Sequence, residues 1–163
     1  MIYIYLVAAV LLAGIDQLLK YVAITSFKVQ NVPIIDDVLI LTYTENTGAA
    51  FSILRNHTWI LAVVTAILLI VLLALVFIKK IKSHYLLINF ALVFSGGLGN
   101  LIDRIFRGFV VDFIYFKPIN FPVFNFADIC VFCGAVMFII YILVLEPKIA
   151  KNKSNKIKED NIE

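Results

Sequence analysis

Asp112 and Asp128 are the two candidate acids for which the sequence offers no obvious cation. Asp16 has Lys20 one helical turn away, and Asp103 has Arg104 beside it. Two carboxyls without counter-ions at membrane depth cannot both ionise when they approach each other, so one keeps its proton. Such a pair does acid–base chemistry. The ionised member takes a proton from water, which attacks a carbonyl. The protonated member hydrogen-bonds the carbonyl oxygen, and a proton later reaches the leaving amine. No rival catalytic signature is present: there is no G-x-S-x-G, no H-E-x-x-H and no Walker loop. Cys130 and Cys133 form a C-x-x-C inside an apolar helical run, and at i and i+3 they share a helix face. They lack the preceding strand of a redox motif and further ligands at zinc spacing, so they are expected as small apolar residues in lipid or at a helix contact. His57 and His84 stand alone at the ends of apolar runs, where loop or interfacial packing is the better account. No metal or cofactor is called for.

Something must hold these acids at one depth, and the composition says what. Hydrophobic residues make up 63% of the 163-residue chain, charged ones 15%, and mean hydropathy is +1.01. A soluble domain is about half apolar and about a quarter charged. The chain is therefore expected to be an all-α polytopic membrane protein. Four stretches have the roughly 20 apolar residues a span requires: 2–24, 58–78, 85–103 and 126–145. The first continues apolar past Gly14 with no lysine or arginine ahead of it, so it is expected as a retained span rather than a removed signal. Residues 1–147 read as one membrane-embedded domain, and 148–163 as a lysine-rich tail.

The connections differ in kind. Lys79 to His84 is a tight basic turn. Between Thr25 and His57, Val38-Leu39-Ile40-Leu41-Thr42-Tyr43 follows an Asp36-Asp37 turn and has the β-branched and aromatic content of a strand, so a small β element at the membrane surface is expected. Arg104 to Asn125 is expected as a long loop broken by Gly108, Pro118 and Pro122. The turn supplies Lys79, Lys80 and Lys82 and the tail Lys148, Lys151, Lys153, Lys156 and Lys158. The other two loops carry Lys28, Arg55, Arg104, Arg107 and Lys117. That excess of eight over five places the turn and both termini in the cytoplasm. Basic residues in short loops without interleaved aromatics exclude nucleic acid as a partner.

With that topology the polar residues converge. At 1.5 Å per residue, Lys20 lies about 6 Å and Asp16 about 12 Å below the outer end of the first span. Asn100, Asp103 and Arg104 fall at the outer end of the third span, Asn125 and Asp128 at that of the fourth. Asp112, and Glu45-Asn46-Thr47-Gly48, lie in the outer loops. All reach the extracytoplasmic third of the bilayer. Structural pairing is the better account for Asp16 with Lys20, and Asn100 could bond across helices.

Five segments in order resemble the lipoprotein signal peptidase family, the type II signal peptidases: Asp16-Gln17-Leu18-Leu19-Lys20, Asn46-Thr47-Gly48-Ala49-Ala50-Phe51, Gly96-Gly97-Leu98-Gly99-Asn100-Leu101-Ile102-Asp103-Arg104, Val110-Val111-Asp112-Phe113 and Phe124-Asn125-Phe126-Ala127-Asp128. The resemblance implies an aspartic protease of the bacterial cytoplasmic membrane, its site towards the extracytoplasmic face. Its substrates would be diacylglyceryl-modified prolipoproteins, cut before the lipid-bearing cysteine. Asp112 and Asp128 would be the catalytic pair. Asn46, Gly48, Asn100, Arg104 and Asn125 would line the site or bind substrate, with Asp16, Lys20 and Asp103 in support. It further implies a β cradle after the first span, entry of substrate from membrane lipid, and inhibition by globomycin-type peptides. Two rivals use the same residues: a proton-coupled carrier, against which no internal repeat is visible, and a non-catalytic adaptor that captures lipidated partners.

Overall fold

The computed structural model describes residues 2–48, 57–79 and 81–148. Ala49, Ala50, Phe51, Arg55, Lys80 and the tail from residue 149 onward lie outside the described residues. Four helices are long and apolar enough to cross a membrane. Helix α1 (Ile2–Val22) runs into a π-helical turn, Ala23–Phe27. Helix α2 (Thr58–Ile78) carries no charged residue, and α3 (His84–Phe106) follows a short turn. Helix α4 (Phe126–Ile140) continues through a second π-helical turn, Tyr141–Leu145. The expected spans all exist. The first and third extend about one turn further at their C-terminal ends than the sequence suggested.

One end of the helix bundle carries a three-stranded antiparallel sheet of order β1-β2-β3, formed by Val32–Ile35, Leu39–Asn46 and Val110–Phe116. The expected β element is there, as a hairpin of β1 and β2. Asp37 turns it with φ 58°, a left-handed conformation that aspartate tolerates better than most residues. The third strand corrects the sequence reading, which left Asp112 in a loop. Val110-Val111-Asp112-Phe113-Ile114-Tyr115-Phe116 is a strand because its β-branched and aromatic residues complete the β2 edge. Gly108, at φ +79°, makes the reversal that brings the chain from α3 into it. Strand β2 slips register between Leu41 and Thr44, and beyond that irregularity Thr44 faces Asp112. Bulges of this kind re-aim side chains beside functional sites.

Inside the bundle, α3 is the hub, packed by α1, α2 and α4. Its glycines allow that approach. A Cβ on Gly99 would come within 2.5 Å of Asp16 Oδ2, and one on Gly97 within 2.8 Å of Leu69 Cδ2. A Cβ on Gly96 would run into the Ala127 carbonyl oxygen and lie 2.7 Å from Val131 Cγ2. The Ala127 obstacle is α4 backbone and cannot rotate away. Gly96→Ala is therefore expected to lose about 1–3 kcal/mol of stability through overpacking, seen as a lower melting temperature in detergent. Gly97→Ala, which meets only the end of a leucine side chain, serves as the milder control. Most apolar side chains of α2, including Ile67, Leu68, Ile70 and Ile78, face outward and need lipid to cover them.

Smaller expectations divide. Cys130 and Cys133 are both free thiols, but Cys130 is buried and Cys133 exposed, so they do not share an environment. His84 is not alone: its Nδ1 lies 2.6 Å from the Tyr5 hydroxyl.

Candidate active site

Helix ends and strand β3 meet beneath the sheet. Asn125 starts α4: its Oδ1 accepts from the Asp128 backbone N–H at 2.9 Å, and Asp128 Oδ2 accepts from the Asn125 N–H at 3.0 Å. This reciprocal capping box satisfies two of the helix's orphan donors and fixes the Asp128 carboxylate against the N-terminal end of the helix dipole. Just before it, Phe124 bridges to Ile114 of β3. The sheet thereby holds Asn125 close to Asp112, and Asn125 Nδ2 donates to Asp112 Oδ1 at 2.6 Å. One asparagine links the surroundings of both acids.

Two further amides complete the set. Asn46, at the end of β2, accepts from the Gly48 N–H at 2.9 Å, which turns its Nδ2 towards Asp112 Oδ2, also at 2.9 Å. Asn100 Nδ2 donates to Asp128 Oδ1 at 2.8 Å, and its Oδ1 accepts from Asn125 Nδ2 at 3.1 Å. Asp112 is 2% exposed. Burial pushes its carboxyl up to about 7, with the nearby Asp128 charge adding to the rise and the bonds from Asn46 and Asn125 opposing it.

Asn46, Gly48, Asn100, Arg104, Asp112 and Asp128 line one cleft of about 1240 Å³. Its inward part is apolar, walled by Leu69 of α2, Val93 of α3, and Val131 and Phe132 of α4. Asn125, Asp16, Lys20 and Asp103 lie behind the wall, fully or almost fully buried.

Arg104 lines the cleft as the family resemblance implied, but it does not have the partner that the matching of acids with cations gave it. It does not pair with Asp103. That carboxylate is taken by Lys20, at 3.0 Å, and by Arg107. Adjacent helical residues point about 100° apart, whereas Arg107 at i+4 shares the Asp103 face. Arg104 turns instead to the cleft, within electrostatic reach of Asp128 and Asp112. Its Nη atoms lie 3.4 Å from the Asn100 carbonyl oxygen and 3.5 Å from that of Gly48, and its buried Nε has no partner among the described residues. The Asp16–Lys20 pair is present at 2.9 Å as expected. Two contributors went unnoticed in the sequence. Arg107 was counted only as a loop charge. Gln17 donates to the Gly99 carbonyl at 3.0 Å and to Asp103 at 3.2 Å, and accepts from Arg107 at 2.9 Å. Its place between Asp16 and Lys20 was the available signal.

Helices and cleft define a multi-pass membrane protein with a buried polar site. A model of the family described as signal peptidase (SPase) II matches residues 8–144. A lipoprotein signal peptidase of Clostridioides difficile (strain 630) is 42% identical over 146 residues, covering 88% of this chain and 97% of the relative. One from Clostridium acetobutylicum is 41% identical over 138 residues, covering 82% and 90%. Two solved structures described as bacterial membrane enzymes, determined by the in meso method at 2.3 and 1.9 Å resolution, share the fold at 32% identity. Their TM-scores are 0.82 and 0.79, over 96% and 88% of this chain and 93% and 95% of theirs. The chain belongs to the signal peptidase II family, and is thus a peptidase of prolipoprotein processing.

Proposed function

We propose that the chain is an aspartic endopeptidase that removes the signal peptide from diacylglyceryl-modified bacterial prolipoproteins, cutting before the lipidated cysteine. The observation that carries this reading is the pair of carboxyls, Asp112 and Asp128, in one cleft and tied to a common asparagine. The Asp112 carboxyl, pushed up to about 7, keeps its proton in a large share of molecules at neutral pH and serves as the acid. Asp128, at a helix N-terminus that favours negative charge, serves as the base. Asp128 takes a proton from water as the water oxygen bonds to the scissile carbonyl carbon. The Asp112 hydroxyl hydrogen-bonds the carbonyl oxygen as negative charge develops there. When the C–N bond breaks, the proton held by Asp128 passes to the leaving amine. Arg104, Asn46 and Gly48 bind the peptide across the cleft, where the Arg104 guanidinium offers N–H groups to substrate carbonyls. Asp16, Lys20 and Asp103 support the wall.

A lipid-anchored substrate enters sideways, its apolar part against Leu69, Val93, Val131 and Phe132. Globomycin-type peptides inhibit by filling the same space. The domain occupies 1–147 in the bacterial cytoplasmic membrane, with both termini cytoplasmic and the sheet outside. The lysine distribution supports that orientation.

The test is incubation of the purified chain in detergent with a diacylglyceryl-prolipoprotein, read by mass spectrometry. Cleavage before the modified cysteine is the expected result. An intact substrate together with solute or proton flux in liposomes would replace the peptidase by a carrier, and binding without either would leave an adaptor. The pH profile adds a signed expectation. Above about 7 Asp112 loses its proton, the dyad carries two charges and no acid, and kcat/KM falls as pH rises.

A further inference from the structure

Behind the cleft wall, Lys20 has three ammonium hydrogens and three acceptors: Asp16 Oδ2 at 2.9 Å, Asp103 Oδ2 at 3.0 Å and Asn100 Oδ1 at 2.8 Å. Each of the two carboxylates also holds one backbone N–H. Asp16 Oδ1 accepts from the Ala127 N–H at 2.9 Å, and Asp103 Oδ2 from the Val111 N–H at 2.9 Å. Ala127 immediately precedes Asp128, and Val111 immediately precedes Asp112. One ammonium is therefore joined, through two carboxylates, to the backbone N–H of the residue that precedes each acid of the dyad. Through Asn100 it also reaches the Asp128 carboxylate itself.

We infer that Lys20 is a positioning residue which fixes the separation and orientation of Asp112 and Asp128, acting through Asp16, Asp103 and Asn100. This rests on the dyad reading above. Bundle stability alone would not call for such a group. Buried ion clusters contribute little net stability, and well-packed apolar side chains often replace them without loss. What apolar packing cannot do is hold two backbone N–H groups on different elements at set distances from a common centre. Helix α4 and strand β3 come from chain segments that α1 and α3 must hold in place, and the clamp spans all four elements. The ammonium also selects the orientation of the Asn100 amide. Having only donors, Lys20 can bond only the amide oxygen, which leaves Nδ2 for Asp128.

The experiment compares Lys20→Met with the charge-balanced double variant Lys20→Met/Asp16→Asn, in which the asparagine oxygen can still accept from Ala127 N–H. Both are purified in detergent beside wild type and Asp112→Asn. Folded fractions are isolated by size exclusion, their melting temperatures recorded, and steady-state cleavage measured on the same prolipoprotein. The expected result is a kcat per folded molecule lowered on the order of 10- to 100-fold, with KM changing much less because no residue that lines the cleft is substituted. A merely structural lysine would change melting temperature and yield but leave that kcat intact. Wild-type kcat in either folded Lys20 variant, with Asp112→Asn inactive, overturns the clamp and leaves the dyad standing. Full activity of Asp112→Asn removes the dyad reading and the clamp with it.

Discussion

Asn in place of Asp112 or Asp128 is expected to lower prolipoprotein cleavage on the order of 10⁴-fold or more, in proteins that still insert and fold. The two losses have different origins. Asp128→Asn keeps the cap, because an asparagine oxygen can accept from the Asn125 N–H as Asp128 Oδ2 does now. What it loses is the base that takes the proton from water. Asp112→Asn keeps one of the two amide bonds, since its single oxygen can accept from Asn46 or from Asn125 but not from both, and it removes the acid that faces the carbonyl oxygen. Its stability should move in a known direction. In the unfolded chain an aspartate titrates near about 3.9, whereas in the fold Asp112 holds its proton up to about 7. The folded state thus binds more protons between those values, and the contribution of this group to stability falls as pH rises from about 4 to about 7. A variant without the carboxyl escapes that fall. Asp112→Asn should melt at or above the wild-type temperature at pH 8 while cleaving nothing. Processing retained by either variant, in a purified assay, would end the dyad assignment.

Asn125→Ala is the second large effect, on the order of 10²–10³-fold in kcat, with a lower melting temperature. This side chain caps α4, donates to Asp112 and donates to Asn100. Removing it leaves the buried Asp112 Oδ1 without its donor, takes one of two donors from Asn100 Oδ1, and frees the first turn of the helix. Asn125→Ser separates the two duties. A serine hydroxyl can accept from the Asp128 N–H as an N-cap, but it cannot also reach the positions of the amide hydrogens. The serine variant should recover most of the melting temperature and little of the rate. If its kcat returned with its stability, Asn125 would be a helix cap and nothing more at the site.

Much of this was legible in the sequence because it depends on length, period and local spacing. Four apolar stretches of span length, the strand after the Asp36-Asp37 turn and the gathering of the polar residues at one end of the bundle follow from such rules, and each has its counterpart in the fold. Asp112 and Asp128 emerged by matching acids with cations, although the matching erred in one partner. Arg104 was assigned to Asp103 as its neighbour in sequence, where helical geometry favours Arg107. The error was harmless to the result, since Arg104 serves the cleft instead. Strand β3 was hidden for another reason. Its partner β2 lies more than 60 residues earlier, and breakers on either side made the segment read as a loop. The backbone N–H groups of Ala127 and Val111 are the hardest class of all. They carry no residue identity, so the bonds that tie Asp16 and Asp103 to the dyad could not be read from side-chain chemistry.

The capping box at the start of α4 bears on how activity can be recognised among relatives. Asn125 and Asp128 are needed to begin a helix, whatever that helix then does. A descendant that had ceased to cleave anything would still be under selection to keep an Asn-x-x-Asp pair there. Asp112 caps no helix; among the described residues its carboxylate accepts from the amides of Asn46 and Asn125. Once the chemistry is abandoned, nothing protects it from drift. On the proposed mechanism, the residue that reports a working enzyme among diverged copies is the aspartate on the strand, and the one at the head of the helix reports only a folded one.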